Sequence, residues 1–288
     1  MGGELGRVCR ARTGPSSPLP GATLTRVPAR SSDSPLGEEL LRLASADNFR
    51  DLTGPGHRTA EGRGLRPGLV YRSNELALTD EDAARVADLG VTAILDLRHA
   101  DEIDAHPDTE VPGAAWEQLE IPGIPMEAVA SLEDPEQADS VMHDVYRGFV
   151  RSPGAREAFA TLLTRIATAE APLVFHCTAG KDRTGWASLL ALRICGVPDG
   201  VVLDDYLSTN NVSTRTREKY LALVHEHLGA DKVEVYERVM VADQRYLAAG
   251  LDAAAEDYGS LASYLTAGLG LPDETLDALR SRLVDAAH

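Results

Sequence analysis

Cysteine is scarce in this chain, with three in 288 residues (Cys9, Cys177, Cys195), too few for a disulfide framework and too widely spaced for a zinc site. Long apolar runs are missing as well. Nothing approaches the length needed to cross a bilayer, and no apolar signal region follows the scattered arginines of the N-terminus, so a cytoplasmic protein is expected, with export requiring a signal not recognisable here. Positive charge is short by 17 against negative, which disfavours nucleic acid and anionic membrane as general partners because the long-range field repels both. An anionic ligand would have to be attracted locally. Acids are rare only in residues 1 to 34, a stretch rich in Gly, Pro, Ser and Arg that reads as a disordered arm. Residues 35 to 288 are then expected to form one domain.

What is present is concentrated in LVFHCTAGKDRTG, Leu173 to Gly185. Leu173, Val174 and Phe175 read as a buried strand, and Leu189, Leu190 and Ile194 follow at helical spacing, so a tight loop joins a strand to a helix start. The first amides of that helix lack intrahelical acceptors, and the helix dipole draws anions to the same end, so phosphate fits there. Cys177 would lie beneath the bound oxyanion as a nucleophile. The loop amides, the dipole and the charges of Lys181 and Arg183 favour its thiolate form. Arg183 offers a planar fork for two phosphoryl oxygens, Thr184 a hydroxyl for the sulfur, and Gly180 the backbone freedom to turn an amide inward. A Walker A loop is excluded, since Phe175 stands where its first Gly is needed and Asp182 where Ser or Thr must follow the Lys.

His176, Cys177, Gly180, Arg183, Thr184 and Gly185 together resemble the signature loop of the cysteine-dependent protein tyrosine phosphatases. The GKDRTG ending is similar to the branch with dual-specificity and phosphoinositide phosphatases. NFRD at Asn48 to Asp51, and RPG followed by YRS at Arg66 to Ser73, narrow the resemblance to the bacterial tyrosine/serine phosphatase family, from about Asn48 to the C-terminus. The resemblance implies an α/β fold with a central, mostly parallel sheet flanked by helices and an α-helical C-terminal extension or lid at about 208 to 288. It also implies a phosphomonoesterase acting through a cysteinyl-phosphate without metal or cofactor. Substrates would be phosphorylated proteins or phosphoinositides, with inorganic phosphate able to sit in the loop. Thr178, Ala179, Gly180, Lys181, Arg183 and Thr184 would bind phosphate, with His176, Arg50, Arg72 and Arg98 in support.

Two carboxylates compete as general acid. Asp182 lies in the loop between two cations and is placed first; Asp96, at the end of the strand read from Val91 to Leu97 and part of the family's DLR element, is its rival. Lys181 could stand at the rim as a mobile ammonium for a second phosphate, or pair with Asp182 or Asp96 and hold the loop. Arg50, Asp51 and Arg72 could touch substrate or lace strand ends together. A rhodanese-like sulfurtransferase and a non-catalytic phospho-ligand module are the competing classes.

Elsewhere, Ser45 to Gly54 and Gly62 to Ser73 read as two strands joined by a hairpin-like turn, and Thr79 as the cap of a short helix. Ala105 to Ala138 reads as an irregular excursion. Phe159, Leu162, Leu163 and Ile166 mark a helix from Pro153. Beyond Asp199 the pattern is helical, in segments that include Thr214 to Leu228 and Val233 to Leu251, with Val212 to Gly250 as the candidate lid. Cys195 reads as a small core residue.

Overall fold

The computed structural model describes residues 43–286, so the expected arm at 1 to 34 lies outside the described residues. Five strands form one sheet in the order β1-β2-β5-β3-β4: Arg50–Asp51 (β1), Val70–Ser73 (β2), Ala93–Asp96 (β3), Ala115–Gln118 (β4) and Leu173–His176 (β5). β2, β5, β3 and β4 run parallel, and β1 joins antiparallel at the edge.

Side-chain alternation divides the sheet's two faces. Val70, Leu95, Leu173 and Phe175 enter the larger core, while Tyr71, Ile94 and Val174 enter a smaller one with Leu76, Ala83 and Val86. With both faces covered, β5 is buried throughout and apolar up to His176, as buried parallel strands are. Helix α1 (Asp80–Asp88), capped by the Thr79 hydroxyl as expected, contributes to the smaller core. Helix α2 (Ala100–Ala105) follows β3, and α3 (Met126–Ala130) follows β4. The larger core is built by α4 (Pro135–Arg151), α5 (Pro153–Thr168), α6 (Asp182–Ile194), α7 (Asp199–Val212), α8 (Thr214–Leu228), α9 (Val233–Met240), α10 (Gln244–Tyr258) and elements beyond them. A short turn α11 (Leu261–Ser263) continues as a π-helix over Tyr264–Gly268 before α12 (Asp273–Leu283). The face Phe159, Leu162, Leu163 and Ile166 of α5 is buried, as its spacing predicts.

Three expectations need correction. Ala105 to Ala138 is not simply irregular: it holds β4, whose first two residues are exposed at the sheet edge and so show no burial pattern, and it leads into α4. Asp134 caps α4 through Gln137 N at 2.8 Å, with Pro135 in the first turn. The helix expected from Val233 to Leu251 is two, because the chain turns extended at Val241 and Asp243 caps a new start. The first of the two N-terminal strands is reduced to Arg50–Asp51, and a bridge between Arg58 and Gly64 closes the turn beyond it.

The register sets up the site. Ser73, His176 and Asp96 are aligned across β2, β5 and β3, so the loop leaving β5 emerges where three parallel strands end together.

Candidate active site

The loop from Cys177 to Lys181 is shaped by three carbonyls that are each pulled outward. Thr178 O accepts from Glu75 N, Ala179 O from Asn48 Nδ2 and Gly180 O from Arg72 Nη2, all at 3.0 Å. The peptides are trans, so each outward carbonyl turns the next amide to the concave side, and Ala179, Gly180 and Lys181 present their N–H groups as an anion nest. Gly180 makes this possible. Its φ is +67°, and a Cβ there would lie 2.5 Å from Ser73 O and 2.7 Å from Asn74 N, so no side chain fits.

Cys177 is buried, at 2 % exposure, and its Sγ receives the Thr184 hydroxyl at 3.2 Å. Immediately after the loop, α6 begins at Asp182; its first intrahelical bond is donated by Gly185, so the amides ahead of it have no helical acceptor. Arg183 is held by Glu102, which accepts from Nη1 and Nη2 at 2.7 Å each, while Leu97 O and Ile121 O lie 3.4 Å from Nη1. Its Nε–H and one Nη2 hydrogen have no acceptor among the described residues, which leaves that edge of the fork open toward the cavity. Burial alone would weaken the Arg183 charge, but Glu102 outweighs it and fixes the cation. Glu102, for which burial acts upward, is carried down to about 2 by Arg183, with help from the Thr178 hydroxyl at 2.5 Å.

Arg50 and Arg72 lie behind the loop rather than in it. Both converge on Asp205 of α7: Arg72 Nη1 is 2.7 Å from Oδ2, Arg50 Nε 3.7 Å from Oδ1, and His57 Nε2 3.7 Å from the same oxygen. Burial opposes the Asp205 charge, yet the two guanidiniums hold it far below the carboxylate range. The Arg50 charge is weakened, to about 9, first by burial and then by Arg72. These residues lace the loop to the sheet and to α7, which is the scaffolding alternative of the two considered for them.

Asp96 is also corrected. It is fully buried, bonded to Arg98 Nε at 2.9 Å and Nη2 at 2.7 Å, and it is absent from the walls of the cavity over Cys177. Arg98 in turn reaches Asp108 at 2.9 Å, and His176 Nε2 lies 2.9 Å from the other Asp108 oxygen. Asp96, Asp108 and His176 approach within 4.8 Å of one another, but Arg98 already bridges both carboxylates, and a metal cation would meet that charge. Arg98 and His176 therefore support the strand ends and touch nothing in the cavity.

Lys181 is not a mobile ammonium at the rim. Its side chain is 2 % exposed and donates to Val239 O at 2.6 Å and Val241 O at 3.2 Å, the C-terminal carbonyls of α9, with Asp182 Oδ1 at 3.3 Å. Only its backbone amide faces the nest. Asp182 does line the cavity, and its Oδ1 accepts from the Tyr146 hydroxyl at 2.9 Å; Tyr146 is 2.7 Å from the Tyr206 hydroxyl behind it. Burial, then the Asp182 charge, push both phenols well upward, so they stay protonated and act as donors.

The cavity has a volume of about 250 Å³, with Cys177, Asp182 and Arg183 on its floor. Ile124, Val129 and Val145 form an apolar side; Thr209 and Asn210 of α7 line the cavity together with residues of α8 and α9, and these last two helices lie in the Val212 to Gly250 segment. Cys195 lies in the core, its thiol pushed up to about 12 by burial, unlike a reactive group. Sequence reasoning passed over Glu102, Asp205, Asn48 and Tyr146, because each meets the loop only through tertiary folding.

A family model described as the tyrosine phosphatase family matches residues 41–285. The triple specificity protein phosphatase PtpB of Mycobacterium tuberculosis is 30% identical over 278 residues, covering 84% of this chain and 98% of its own. A provisionally named tyrosine-protein phosphatase of Cupriavidus necator is 32% identical over 253 residues, 85% of this chain and 88% of its own. A tyrosine-protein phosphatase of Nostoc commune is 28% identical over 217 residues, 73% of this chain and 71% of its own.

Proposed function

The chain belongs to the tyrosine phosphatase family, a phosphoric monoester hydrolase family, and on that premise we propose how its own residues perform the hydrolysis. The observation that carries the proposal is the placement of Cys177 Sγ at the floor of three inward amides, with Thr184 at 3.2 Å and one free edge of Arg183 beside it. The substrate phosphoryl group rests on the amides of Ala179, Gly180 and Lys181 and on Arg183. Cys177 attacks phosphorus as the thiolate, the S–P bond forms, and the ester P–O bond breaks while Asp182 gives its proton to the leaving oxygen. Water then attacks phosphorus and yields a proton to Asp182. The S–P bond breaks with its electron pair returning to sulfur, where the Thr184 hydroxyl receives the charge.

Electrostatics favour this course at both steps. Charge developing on the equatorial oxygens meets amides and a guanidinium whose positions are set beforehand by Asn48, Arg72, Glu75 and Glu102. The buried pair of arginines against one aspartate adds net positive charge behind the loop.

For substrates, the Mycobacterium relative is named for a triple specificity, and we extend such breadth to this chain: phosphotyrosine, phosphoserine or phosphothreonine, and phosphoinositide headgroups. Asp182, as a placed acid, supports alkyl as well as aryl leaving groups. Among the described residues Cys177 and Cys195 are free thiols, which suits a reducing compartment such as the cytoplasm. No described helix is long and apolar enough to cross a membrane. Phosphate release from a panel of the three substrate classes tests the reading. Cys177-dependent release is expected, and a panel with none contradicts it.

A further inference from the structure

Helix α8 turns one face to the cavity. Ser213 at its start, Thr216 and Arg217 one turn on, and Tyr220 a turn further all line the wall opposite the loop, at the spacing that stacks side chains on one side of a helix. Three of these four hold donors with little or nothing to receive them. Ser213 is 9 % exposed, makes no capping bond, and its buried hydroxyl has no partner among the described residues. Arg217 reaches only the Asn210 carbonyl, at 3.3 Å, and forms no ion pair among the described residues. The Tyr220 hydroxyl likewise has no acceptor there. Its phenol is pushed upward by burial and by the charges of Glu75 and Glu102, so it keeps its proton.

The helix amides themselves are not the feature. Asp47 already accepts from Thr216 N at 3.0 Å and from its hydroxyl at 2.8 Å, which leaves the Ser213, Arg217 and Tyr220 side chains as the open donors. The contrast with the floor is informative. Arg183 there is held by Glu102, whereas Arg217 has no carboxylate partner among the described residues. A partly desolvated guanidinium and a buried hydroxyl without acceptors are costly unless an anion visits them.

We propose that Ser213, Arg217 and Tyr220 form a subsite for a second phosphate of the substrate, carried by the same molecule whose scissile phosphate lies on the Cys177 loop. The inference rests on the phosphatase reading above. Both anion sites open on one cavity of about 250 Å³, so the two phosphates belong on one compact polyol and not on separate residues of a folded protein. The polyol can be free or can be the headgroup of a lipid; the chemistry recognised is the same.

The test compares an inositol bisphosphate with an inositol monophosphate, both alkyl phosphates with equivalent leaving groups. The parent enzyme is expected to show a KM about tenfold lower for the bisphosphate, and Arg217→Gln to remove that advantage through KM while leaving monophosphate turnover within about twofold, as loss of a charge-assisted contact requires. Ser213→Ala and Tyr220→Phe should move KM the same way by less. Equal KM values in the parent overturn the subsite. So do equal losses on both compounds in Arg217→Gln, which would mean a structural role, and a preference shown only by a doubly phosphorylated peptide. Repeating the comparison with a short-chain phosphoinositide identifies the source: a gain over the soluble ring supports a lipid-borne second phosphate, and equal values support a free one. Calorimetric binding of the bisphosphate and of inorganic phosphate to Cys177→Ser gives an independent reading. A parent without turnover contradicts the phosphatase reading, whereas tighter bisphosphate binding lost with Arg217→Gln still upholds the subsite.

Discussion

Glu102 grips both terminal nitrogens of Arg183 at 2.7 Å, so the guanidinium plane is fixed before any substrate arrives. The same contact makes a pH prediction. The Glu102 carboxyl sits near 2 in the folded protein against an ordinary 4.5, so the folded state binds fewer protons than the unfolded one between these values. Its contribution to stability is complete above about pH 4.5 and is lost as pH falls toward 2. Denaturant midpoints measured from about pH 5 down to about pH 3 should fall less steeply for Glu102→Gln than for the parent. Parallel slopes would refute the assignment.

Asp182, proposed above for the proton transfers, lines the cavity and accepts from the Tyr146 hydroxyl at 2.9 Å. Asp182→Asn should slow alkyl phosphates by about a hundredfold or more and aryl phosphates with good leaving groups much less, as loss of a general acid does. Tyr146→Phe should show the same pattern on a smaller scale. Uniform slowing across leaving groups would remove Asp182 from the role.

What could be read from the chain and what could not divides along sequence distance. The strand, loop and helix from Leu173 to Ile194 are contiguous, so apolar spacing together with His176, Cys177, Gly180, Arg183, Thr184 and Gly185 makes them legible in the sequence. The groups that aim the loop come from afar: Glu102 lies 81 residues from Arg183, and Asp205 lies 133 from Arg72. Nothing local to Asp205 on α7 marks it as the hub of two buried arginines. Lys181 was misplaced for the same reason, since only the fold brings the end of α9 over its ammonium. β4 escaped because an edge strand with exposed Ala115 and Trp116 lacks a buried face.

Lys181 now carries a different expectation from that of a rim cation. Tied to Val239 O and Val241 O, it joins the loop to the end of α9, so Lys181→Ala should lower thermal stability and slow monophosphate and bisphosphate substrates by similar factors. A loss confined to KM for the bisphosphate would restore the rim reading.

Asp205→Asn should be severe. Removing one charge from a buried cluster leaves Arg50 and Arg72 facing each other, a loss of about 3–5 kcal/mol in urea unfolding. The exposed pair Arg147–Asp144 is the control, and Asp144→Asn should cost less than about 1 kcal/mol. Comparable effects at the two sites would contradict the scaffolding role given to Asp205.

The covalent role of Cys177 is tested most directly by Cys177→Ser, with turnover of an aryl phosphate and binding of inorganic phosphate measured on the same preparation. The amides of Ala179, Gly180 and Lys181 and the free edge of Arg183 survive this change, so phosphate should bind as in the parent while turnover falls below about one thousandth. Turnover retained above that level with phosphate binding intact would contradict a cysteinyl-phosphate mechanism.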